Sequence, residues 1–340
     1  MEEKLAKIGG LLSDCFIHEL LENPYVTDIS YNGSEIYYLD NQHGRCKYKC
    51  DITNEEIYAF LRQLSNLCDS SFSLSQPILD VSFLNYRLNA VYKNICRKKG
   101  EKVLTFCLRK FNLDKIMIDE QSSFATKNIL KFLRIAAKLK KSILIAGPTS
   151  SGKTELQKYL INKLCNHERV VIIDTINELD IRYNENVDIT CMVTDFKQNV
   201  DLKELVKLSL RFNPDYVVLA EARGAEFEDV LTSSLSGIST ITTIHAKSVD
   251  TIIDRAINLV QINNKNLNYK TIKESILMHF DLLIYVEKKI DKDGHINRKL
   301  TSLKLINSGE IIDLINEQTQ DLKVDSLPLK LREEFENESA

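Results

Sequence analysis

The sequence predicts an α/β protein in two parts, a smaller α+β domain followed by a larger domain with a mostly parallel sheet. At residues 143–164 a buried strand runs directly into a glycine-rich turn and a helix, and buried strands and helices continue to alternate after it. The first hundred residues instead combine helices with short strands and tight turns. The predicted division is an N-terminal domain at 1–112, a linker at 113–127, the larger domain at 128–320 and a charged C-terminal tail at 321–340.

The composition of the 340-residue chain provides a sizeable core, with 44% hydrophobic and 27% charged residues. No apolar run approaches the roughly 20 residues that a membrane helix needs, and the charged start, MEEKL, lacks the apolar core of a signal peptide. We therefore expect a cytoplasmic protein. A net charge of −3 disfavours direct nucleic-acid binding, for which a basic surface is typical.

The N-terminal domain starts with helical spacing of apolar residues. The pattern predicts a helix over 4–22 that is weakest at Gly9 and Gly10, strands at 26–33 and 35–39, and a helix over 55–67. Two further strands are predicted at 87–93 and 102–109, on either side of a polar and basic turn.

This second strand pair brings two arginines together. A symmetric antiparallel hairpin pairs position 87 with position 109, and directly opposed residues share a face of the sheet. Arg87 and Arg109 then lie side by side, where two guanidinium groups repel unless an anion lies between them. The alternative is a pair of solvated arginines without a ligand.

The most specific motif is the glycine-rich turn of the larger domain. It follows the strand that starts at Ile143 and opens a predicted helix, the context of a phosphate-binding P-loop. In such a loop the backbone N–H groups and the helix N-terminus bind phosphate oxygens. Lys153 is expected to reach the β- and γ-phosphates of a nucleotide, and the Thr154 hydroxyl to bind Mg²⁺. The candidate binding residues are Gly147, Pro148, Thr149, Ser150, Ser151, Gly152, Lys153 and Thr154.

The elements after this loop alternate as a parallel sheet requires. Buried strands are predicted at 169–174, 216–221 and 239–245, helices at 202–210, 226–235 and 249–260, and a late hairpin of strands at 281–289 and 296–305. The last fifteen or so residues are charged and poor in apolar residues, so we expect them to fray.

Titratable residues end three of the buried strands. Asp174, Glu221 and His245 each follow an apolar run, and ligands of open α/β sheets bind at the carboxyl ends of strands. Glu221 is placed to orient the attacking water or to hold the water shell of a metal ion. Asp174 and Glu178 form a second acidic group with a possible role in positioning water or Mg²⁺.

Each of these side chains also has a structural alternative. Glu221 could cap a helix or pair with the nearby Arg223, and a histidine at a strand end is about as often structural as functional. Asp174 or Glu178 could equally cap the segment that follows the strand. The sequence by itself leaves these alternatives open.

Four ordered motifs resemble those of the type II/type IV secretion ATPases, the motors of secretion, conjugation and pilus assembly. The Walker A motif is followed by segments similar to the family's Asp box, its atypical Walker B motif and its His box, and the N-terminal strand and arginine positions also fit. The resemblance covers roughly residues 20–285. The matching segments are 147–154, 173–179, 210–224 and 242–246, with 26–33, Arg87 and 107–111 in the N-terminal half.

The resemblance implies a RecA-like P-loop NTPase domain that hydrolyses ATP with Mg²⁺. It implies that Lys153 and Thr154 bind phosphate and Mg²⁺, that Glu221 assists the attacking water, and that His245 contacts the γ-phosphate region. Arg87 and Arg109 would reach the phosphates from the N-terminal domain. The family assembles as hexameric rings, so the resemblance also implies a homo-hexamer that works with inner-membrane components of a secretion or pilus machine, peripherally associated with the inner face of the cell membrane.

Two departures from the family pattern bear on this interpretation. The Asp box either has Asp174 where the family has Glu or contains one inserted residue, and the segment 236–240 lacks a glycine and a histidine that the family has. A nucleotide-gated scaffold with little turnover is therefore an alternative, and a nucleic-acid motor is a third hypothesis that the net charge disfavours. No cysteine follows Cys191, which excludes a tetracysteine metal site there and favours the conjugation-type or Tad-pilus-type branch.

Overall fold

A computed structural model describes residues 2–338 except 112–115, 165–166, 182, 184–186, 196–197, 234–236, 263 and 293. The chain divides into two compact units. Unit 1 comprises Met1–Asn112 together with Ile290–Asn297, and unit 2 comprises Leu113–Lys289 together with Arg298–Ala340. The assignment of Ile290–Asn297 to unit 1 was not predicted, because the sequence shows only a hairpin turn at this point. The predicted linker residues 113–115 and the end of the predicted helix 226–235 lie outside the described residues.

Unit 1 is an antiparallel sheet with helices packed on one face. The elements are helices α1 (Glu2–Ser13), α2 (His18–Glu22) and α3 (Asn54–Leu67) and strands β1 (Val26–Tyr31), β2 (Ile36–Asp40), β3 (Gly44–Tyr48), β4 (Ile78–Phe83), β5 (Tyr86–Val91), β6 (Arg97–Lys98), β7 (Glu101–Lys102) and β8 (Thr105–Lys110). The sheet has the strand order β3-β2-β1-β8-β5-β4.

Along β5 and β8 of unit 1, buried residues alternate with more exposed ones. The buried residues mark the face of the sheet that the helices cover. Leu88 and Leu108 point into one hydrophobic cluster with Leu61 of α3, while the residues that alternate with them face away. Helix α3 begins where Thr53 and Glu56 form a reciprocal capping box. The predicted pairing of Arg87 with Arg109 across β5 and β8 is confirmed.

Unit 2 is an α/β layer structure around a mostly parallel sheet, as predicted. Its helices are α4 (Lys127–Lys138), α5 (Lys153–Ile161), α6 (Leu202–Ser209), α7 (Glu226–Ser233), α8 (Ile252–Gln261), α9 (Tyr269–His279) and α10 (Leu329–Asn337). Its strands are β9 (Ile143–Gly147), β10 (Arg169–Asp174), β11 (Asp188–Val193), β12 (Tyr216–Leu219), β13 (Ser239–His245), β14 (Leu282–Ile290), β15 (Ile296–Asn307) and β16 (Glu310–Asp313). Short 3₁₀ turns lie at Leu210–Phe212, Val249–Thr251 and Val324–Ser326.

The sheet of unit 2 places the glycine-rich loop near its centre. The strand order is β11-β10-β12-β13-β9-β14-β15-β16, and the pairs from β11 to β14 are parallel. Ile143 and Ile145 of β9 enter one hydrophobic cluster and Leu144 and Ala146 enter another, so helices cover both faces. Because both faces are buried, the strands read as continuous apolar runs, and their carboxyl ends meet at one edge.

Several elements differ from the sequence prediction. Helix α1 continues through Gly9 and Gly10, and the predicted 4–22 helix breaks instead at residues 14–17. Strands β3, β4, β11 and β16 and helix α9 were not predicted. The described part of the predicted linker also packs with unit 2, since Ile118 and Phe124 are buried in its core.

The predicted charged tail contains an ordered helix. The expectation that the last residues fray is wrong for α10, because Leu331 and Phe335 lie four residues apart on one side of the helix and are both buried in the core of unit 2. Glu338 at its end pairs with Arg134 and Lys138 of α4. A helix with two apolar anchors and a charged outer face has too low a mean hydropathy for the sequence to reveal it.

A buried histidine is expected to make the protein sensitive to acid. His279 at the end of α9 is 5% exposed, its Nε2 lies 2.7 Å from the Thr240 hydroxyl, and burial lowers its pKa to about 4. Between pH 6.5 and 4 the unfolded chain binds the proton and the folded chain does not, so stability falls as the pH falls through this window. We expect the free energy of unfolding to be about 2 kcal/mol lower at pH 5 than at pH 7 on this account.

Urea unfolding at the two pH values measures this effect. His279→Gln should lose less stability between pH 7 and pH 5 than the wild type, whereas His43→Gln, at an exposed position, should behave like the wild type. An equal loss in the wild type and in His279→Gln would show that another group controls the acid sensitivity.

Candidate functional site

The glycine-rich loop joins β9 to α5 and requires glycine at both ends. A Cβ on Gly147 would lie 2.3 Å from the Val286 carbonyl oxygen and 2.8 Å from the Ser151 hydroxyl. Gly152 caps the N-terminus of α5 with a φ of 98°, a left-handed conformation that favours glycine. Glycine is therefore required for a different reason at each position. At Gly147 a neighbouring strand approaches closely, and at Gly152 the backbone conformation favours glycine.

Gly147→Ala is expected to destabilise the protein, because neither the Val286 backbone nor the loop can move away cheaply. We expect a loss of about 1–3 kcal/mol in the free energy of unfolding, measured by urea denaturation. Gly9→Ala is the matched control: a Cβ there meets nothing within 4 Å, and alanine within α1 should stabilise by about 0.5–1 kcal/mol. A Gly147→Ala protein as stable as the wild type would contradict the packing described here.

The loop leaves polar groups available for an anion. Among the described residues, the amide N–H groups of Thr149 and Ser151 have no hydrogen-bond acceptor, and the Ser151 hydroxyl is buried without a partner. A buried hydroxyl without a partner is costly and normally finds one. Together with the N-terminus of α5, these groups fit the oxygens of a phosphate group.

Lys153 is the first residue of α5 and folds back over the loop. Its Nζ donates to the carbonyl oxygens of Gly147 at 3.0 Å and Pro148 at 2.9 Å and lies 3.2 Å from Nδ1 of His245. The side chain is 6% exposed, and burial lowers its pKa to about 8 although the charges of Glu221 and Glu178 act to raise it. A buried ammonium held by neutral carbonyls gains stabilisation from an anionic ligand.

His245 ends β13 directly beside Gly147 of the neighbouring strand. Its Nδ1 faces Lys153 and its Nε2 lies 2.8 Å from a carboxylate oxygen of Glu221. Burial and the Lys153 charge lower the pKa of His245. We assign the neutral tautomer with the proton on Nε2, because the lysine ammonium donates to Nδ1, which leaves Nε2 as the protonated nitrogen beside the Glu221 carboxylate.

Glu221 lies two residues beyond the end of β12 and completes this chain of polar contacts. Its other oxygen accepts from the Arg223 guanidinium at 3.0 Å. Burial acts to raise the pKa of Glu221, but the hydrogen bond and charge of Arg223, with His245 and Lys153, hold it below its usual value. The carboxylate is therefore ionised at neutral pH. The structure brings together Lys153, His245 and Glu221. The pairing of Glu221 with Arg223, which the sequence offered as an alternative, is also present.

Asp174 has the capping role that the sequence left open. Its two carboxylate oxygens accept four hydrogen bonds from its own following segment, from the amides of Thr175, Ile176, Glu178 and Leu179 at 2.6–3.2 Å. Both carboxylate oxygens are thus used by backbone N–H groups, and these hydrogen bonds fix the loop after β10. Glu178 is on this loop, and its charge acts on Lys153.

Arg87 and Arg109 belong to unit 1, and each has an acidic partner there. Arg87 binds both oxygens of Asp80, with Nε 3.1 Å and Nη2 2.9 Å away, and Arg109 Nε lies 3.0 Å from Asp28. The negative charge that two adjacent guanidinium groups require is thus supplied by two aspartates that the sequence analysis did not identify. Asp28 lies opposite Arg109 in the strand register, but that pairing is not visible in the sequence.

Two more side chains that sequence reasoning missed contact the loop. Arg298 of β15 donates from Nε to the carbonyl oxygen of Ser150 at 2.8 Å, and a Cβ on Gly152 would lie 3.4 Å from Phe124 and 3.7 Å from Arg298. Arg298 is 148 residues from Ser150 along the chain. Local sequence patterns carry no signal for such a contact.

This combination defines a class of protein. A strand, a glycine-bracketed loop with free amides and a helix that starts with a buried lysine lie at the carboxyl edge of a parallel sheet, which is the arrangement of P-loop α/β domains. The Type II/IV secretion system protein family matches residues 92–284, more than half of the chain. The chain belongs to this family.

Three relatives show how similar this chain is to other bacterial proteins. The chain is 25% identical over 298 residues to an uncharacterized protein of Bacillus anthracis, covering 84% of this chain and 64% of that protein. It is 26% identical over 301 residues to the type IV secretion system protein PtlH of Bordetella pertussis, covering 80% of this chain and 88% of PtlH. It is also 29% identical over 181 residues to VirB11 of Brucella suis, half of each chain.

The fold is similar to that of two solved ATPase structures. The Legionella pneumophila ATPase DotB superposes with a TM-score of 0.64 at 17% identity, covering 89% of this chain and 81% of DotB. The pilus retraction motor PilT with bound ADP superposes with a TM-score of 0.58 at 18% identity, covering 87% of this chain and 83% of PilT. At these identities the likeness concerns the fold alone.

Proposed function

We propose that this protein is an ATP-hydrolysing motor of a type IV-like secretion machine. The observation that carries the proposal is the continuous polar chain from the buried Lys153 through His245 to Glu221, at the carboxyl edge of the sheet. The names of PtlH and VirB11 supply the type of machine, and those of DotB and PilT the ATPase class.

The loop residues are the proposed nucleotide site. The loop from Gly147 to Gly152, apart from Pro148, would surround the phosphates with amide N–H groups, and the Lys153 ammonium would exchange its bonds to Gly147 and Pro148 for phosphate oxygens. The Thr154 hydroxyl, and Glu221 through water, are the proposed Mg²⁺ contacts. When bound, Mg²⁺ neutralises the charge that develops on the transferring phosphoryl group.

Glu221 is the proposed partner of the attacking water. Hydrolysis forms a bond from the water oxygen to the γ-phosphorus, breaks the bond to the β-phosphate oxygen and releases the water proton. The lowered pKa of Glu221 keeps it ionised, so it accepts a hydrogen bond from the water and orients it, and it takes the proton as the bond forms. A carboxylate with a low pKa is a weak base, so orientation is the larger part of this role.

His245 links Glu221 to the phosphate loop. The neutral ring contacts Lys153 on one side and Glu221 on the other, so a change in the bonds of Lys153 would shift the ring and with it the polar surroundings of Glu221. We propose that this histidine senses the state of the γ-phosphate. The roles of Glu178, Arg87 and Arg109 at the phosphates stay predictions from the family resemblance, and Asp174 acts through the loop that it caps.

The assembly and location are part of the same proposal. We propose a homo-hexameric ring that docks on inner-membrane components of the machine at the cytoplasmic side of the membrane. Across the described residues, every helix is too short or too polar to cross a bilayer.

Phosphate release tests the proposal directly. The purified protein is assayed with ATP, with and without Mg²⁺, over a range of concentrations, and its particle mass is recorded in the same buffers. Mg²⁺-dependent release by a ring supports the motor. Tight ATP binding without release by any particle identifies a nucleotide-gated scaffold instead, and the absence of ATP binding overturns the proposal.

A further inference from the structure

The outer side of the phosphate loop is held by one arginine from a distant strand. Arg298 donates from Nε to the carbonyl oxygen of Ser150, and its side-chain methylene carbon Cδ lies where a Cβ on Gly152 would be in van der Waals contact. The same side chain therefore contacts the loop both at a backbone carbonyl and by packing.

The loop residue that Arg298 contacts has an unfavourable backbone conformation. Ser150 has a φ of 58°, in the left-handed region that non-glycine residues seldom adopt. Such conformations persist only where the surroundings hold them. A charge-assisted hydrogen bond from a guanidinium to the carbonyl of that residue is about twice as strong as a neutral one.

The direction of the Ser150 carbonyl matters for the loop's binding groups. The Ser150 carbonyl and the Ser151 N–H belong to one planar peptide unit and point in opposite directions, so an inward N–H requires an outward carbonyl that is satisfied there. The Ser150 carbonyl is satisfied by Arg298, while neighbouring amides keep no acceptor among the described residues. The contact thus favours the conformation in which those amides are available to an anion.

The fold fixes Arg298 in this position. Leu300, two residues further along β15 and therefore on the same face, is buried in the core, and its amide donates to the carbonyl oxygen of Phe124 at 2.8 Å. Phe124 itself packs against the loop at Gly152. The backbone that carries Arg298 is thus anchored in the core two residues away, and Phe124 lies against the same part of the loop.

We propose that Arg298 is a positioning residue that holds the loop in its phosphate-binding conformation. It acts through the Ser150 carbonyl and adds a positive charge beside the loop. The inference rests on the proposed function, since it concerns the same phosphate site. It predicts that loss of the guanidinium weakens the binding of every ligand that carries the phosphate chain, whether or not the ligand has a base.

The test compares variants of the full chain with ATP, ADP and inorganic tripolyphosphate as probes. Arg298→Ala should weaken binding of all three by a similar factor of about tenfold, because one charge-assisted contact is lost. Arg298→Lys keeps the charge without the planar fork and should recover part of the affinity. Lys299→Gln, at the next position and on the opposite face, is the control and should bind like the wild type.

The results separate failure of this inference from failure of the proposed function. If the wild type binds none of the probes, the proposed function fails. If the wild type binds ATP and Arg298→Ala binds each of the three probes as tightly as the wild type does, the inference is overturned. It is also overturned if Arg298→Ala melts well below Lys299→Gln without ligand, since the loss of binding would then reflect unfolding, or if ATP binding weakens while tripolyphosphate binding does not.

Discussion

Glu221→Gln is expected to lower Mg-ATP turnover by about 10²- to 10³-fold while ATP still binds. The amide has nearly the shape of the carboxylate but cannot accept a proton from water, and it removes the negative charge that His245 and Arg223 face. Binding should survive, because the proposed phosphate contacts are those of Lys153 and the loop amides and not of Glu221. Removing a carboxylate near Lys153 also leaves more positive charge for the ligand.

Phosphate release and ATP binding are measured for the same preparations. Glu274→Gln, at a solvent-exposed position of α9, provides the control with one carboxylate removed elsewhere. Turnover of Glu221→Gln within threefold of the wild type would exclude Glu221 from the reaction. Loss of ATP binding together with turnover would assign it to binding instead.

The parts of the site that were predicted lie close together in sequence or at strand ends. The motif from Gly147 to Thr154 is contiguous, so its strand, loop and helix could be recognised directly. Glu221 and His245 are far apart in sequence, but parallel strands place their carboxyl ends at one edge, and this rule alone brought them together. The pairing of Arg87 with Arg109 followed from hairpin symmetry.

The parts that were missed depend on pairings that a single sequence does not encode locally. Asp80 and Asp28 were missed as partners of the arginines because β4 had not been predicted and the pairing of β1 with β8 is long-range. Arg298 is brought near Ser150 by the position of β15 in the sheet, next to β14, which itself pairs with β9. The buried capping role of Asp174 was one of two open alternatives, since a carboxylate after a strand serves backbone and ligands equally well.

Lys153→Met is expected to abolish detectable ATP binding, with an affinity loss of about 100-fold or more. The side chain is buried among carbonyl oxygens, and its ammonium places a positive charge directly against the loop. Without nucleotide, the melting temperature should not fall, because folding no longer has to bury an ammonium whose pKa is lowered. Loss of binding with unchanged folding distinguishes a ligand contact from a structural residue, and Lys270→Met, on the surface of α9, is the matched control.

The lowered pKa of Lys153 adds a pH dependence that the wild type should show. In the free protein this pKa is about 8, and bound phosphates raise it because they favour the ammonium. Above pH 8 binding therefore requires uptake of a proton, so the affinity for ATP should fall about tenfold between pH 7 and pH 9. The phosphates themselves, with a last pKa of about 6, do not titrate in this window.

The affinities for ADP and ATP are measured as a function of pH in the wild type and in Lys270→Met. An affinity that is flat from pH 7 to pH 9 would show that Lys153 keeps its proton in the free protein, and that the carboxylates of Glu221 and Glu178 outweigh its burial.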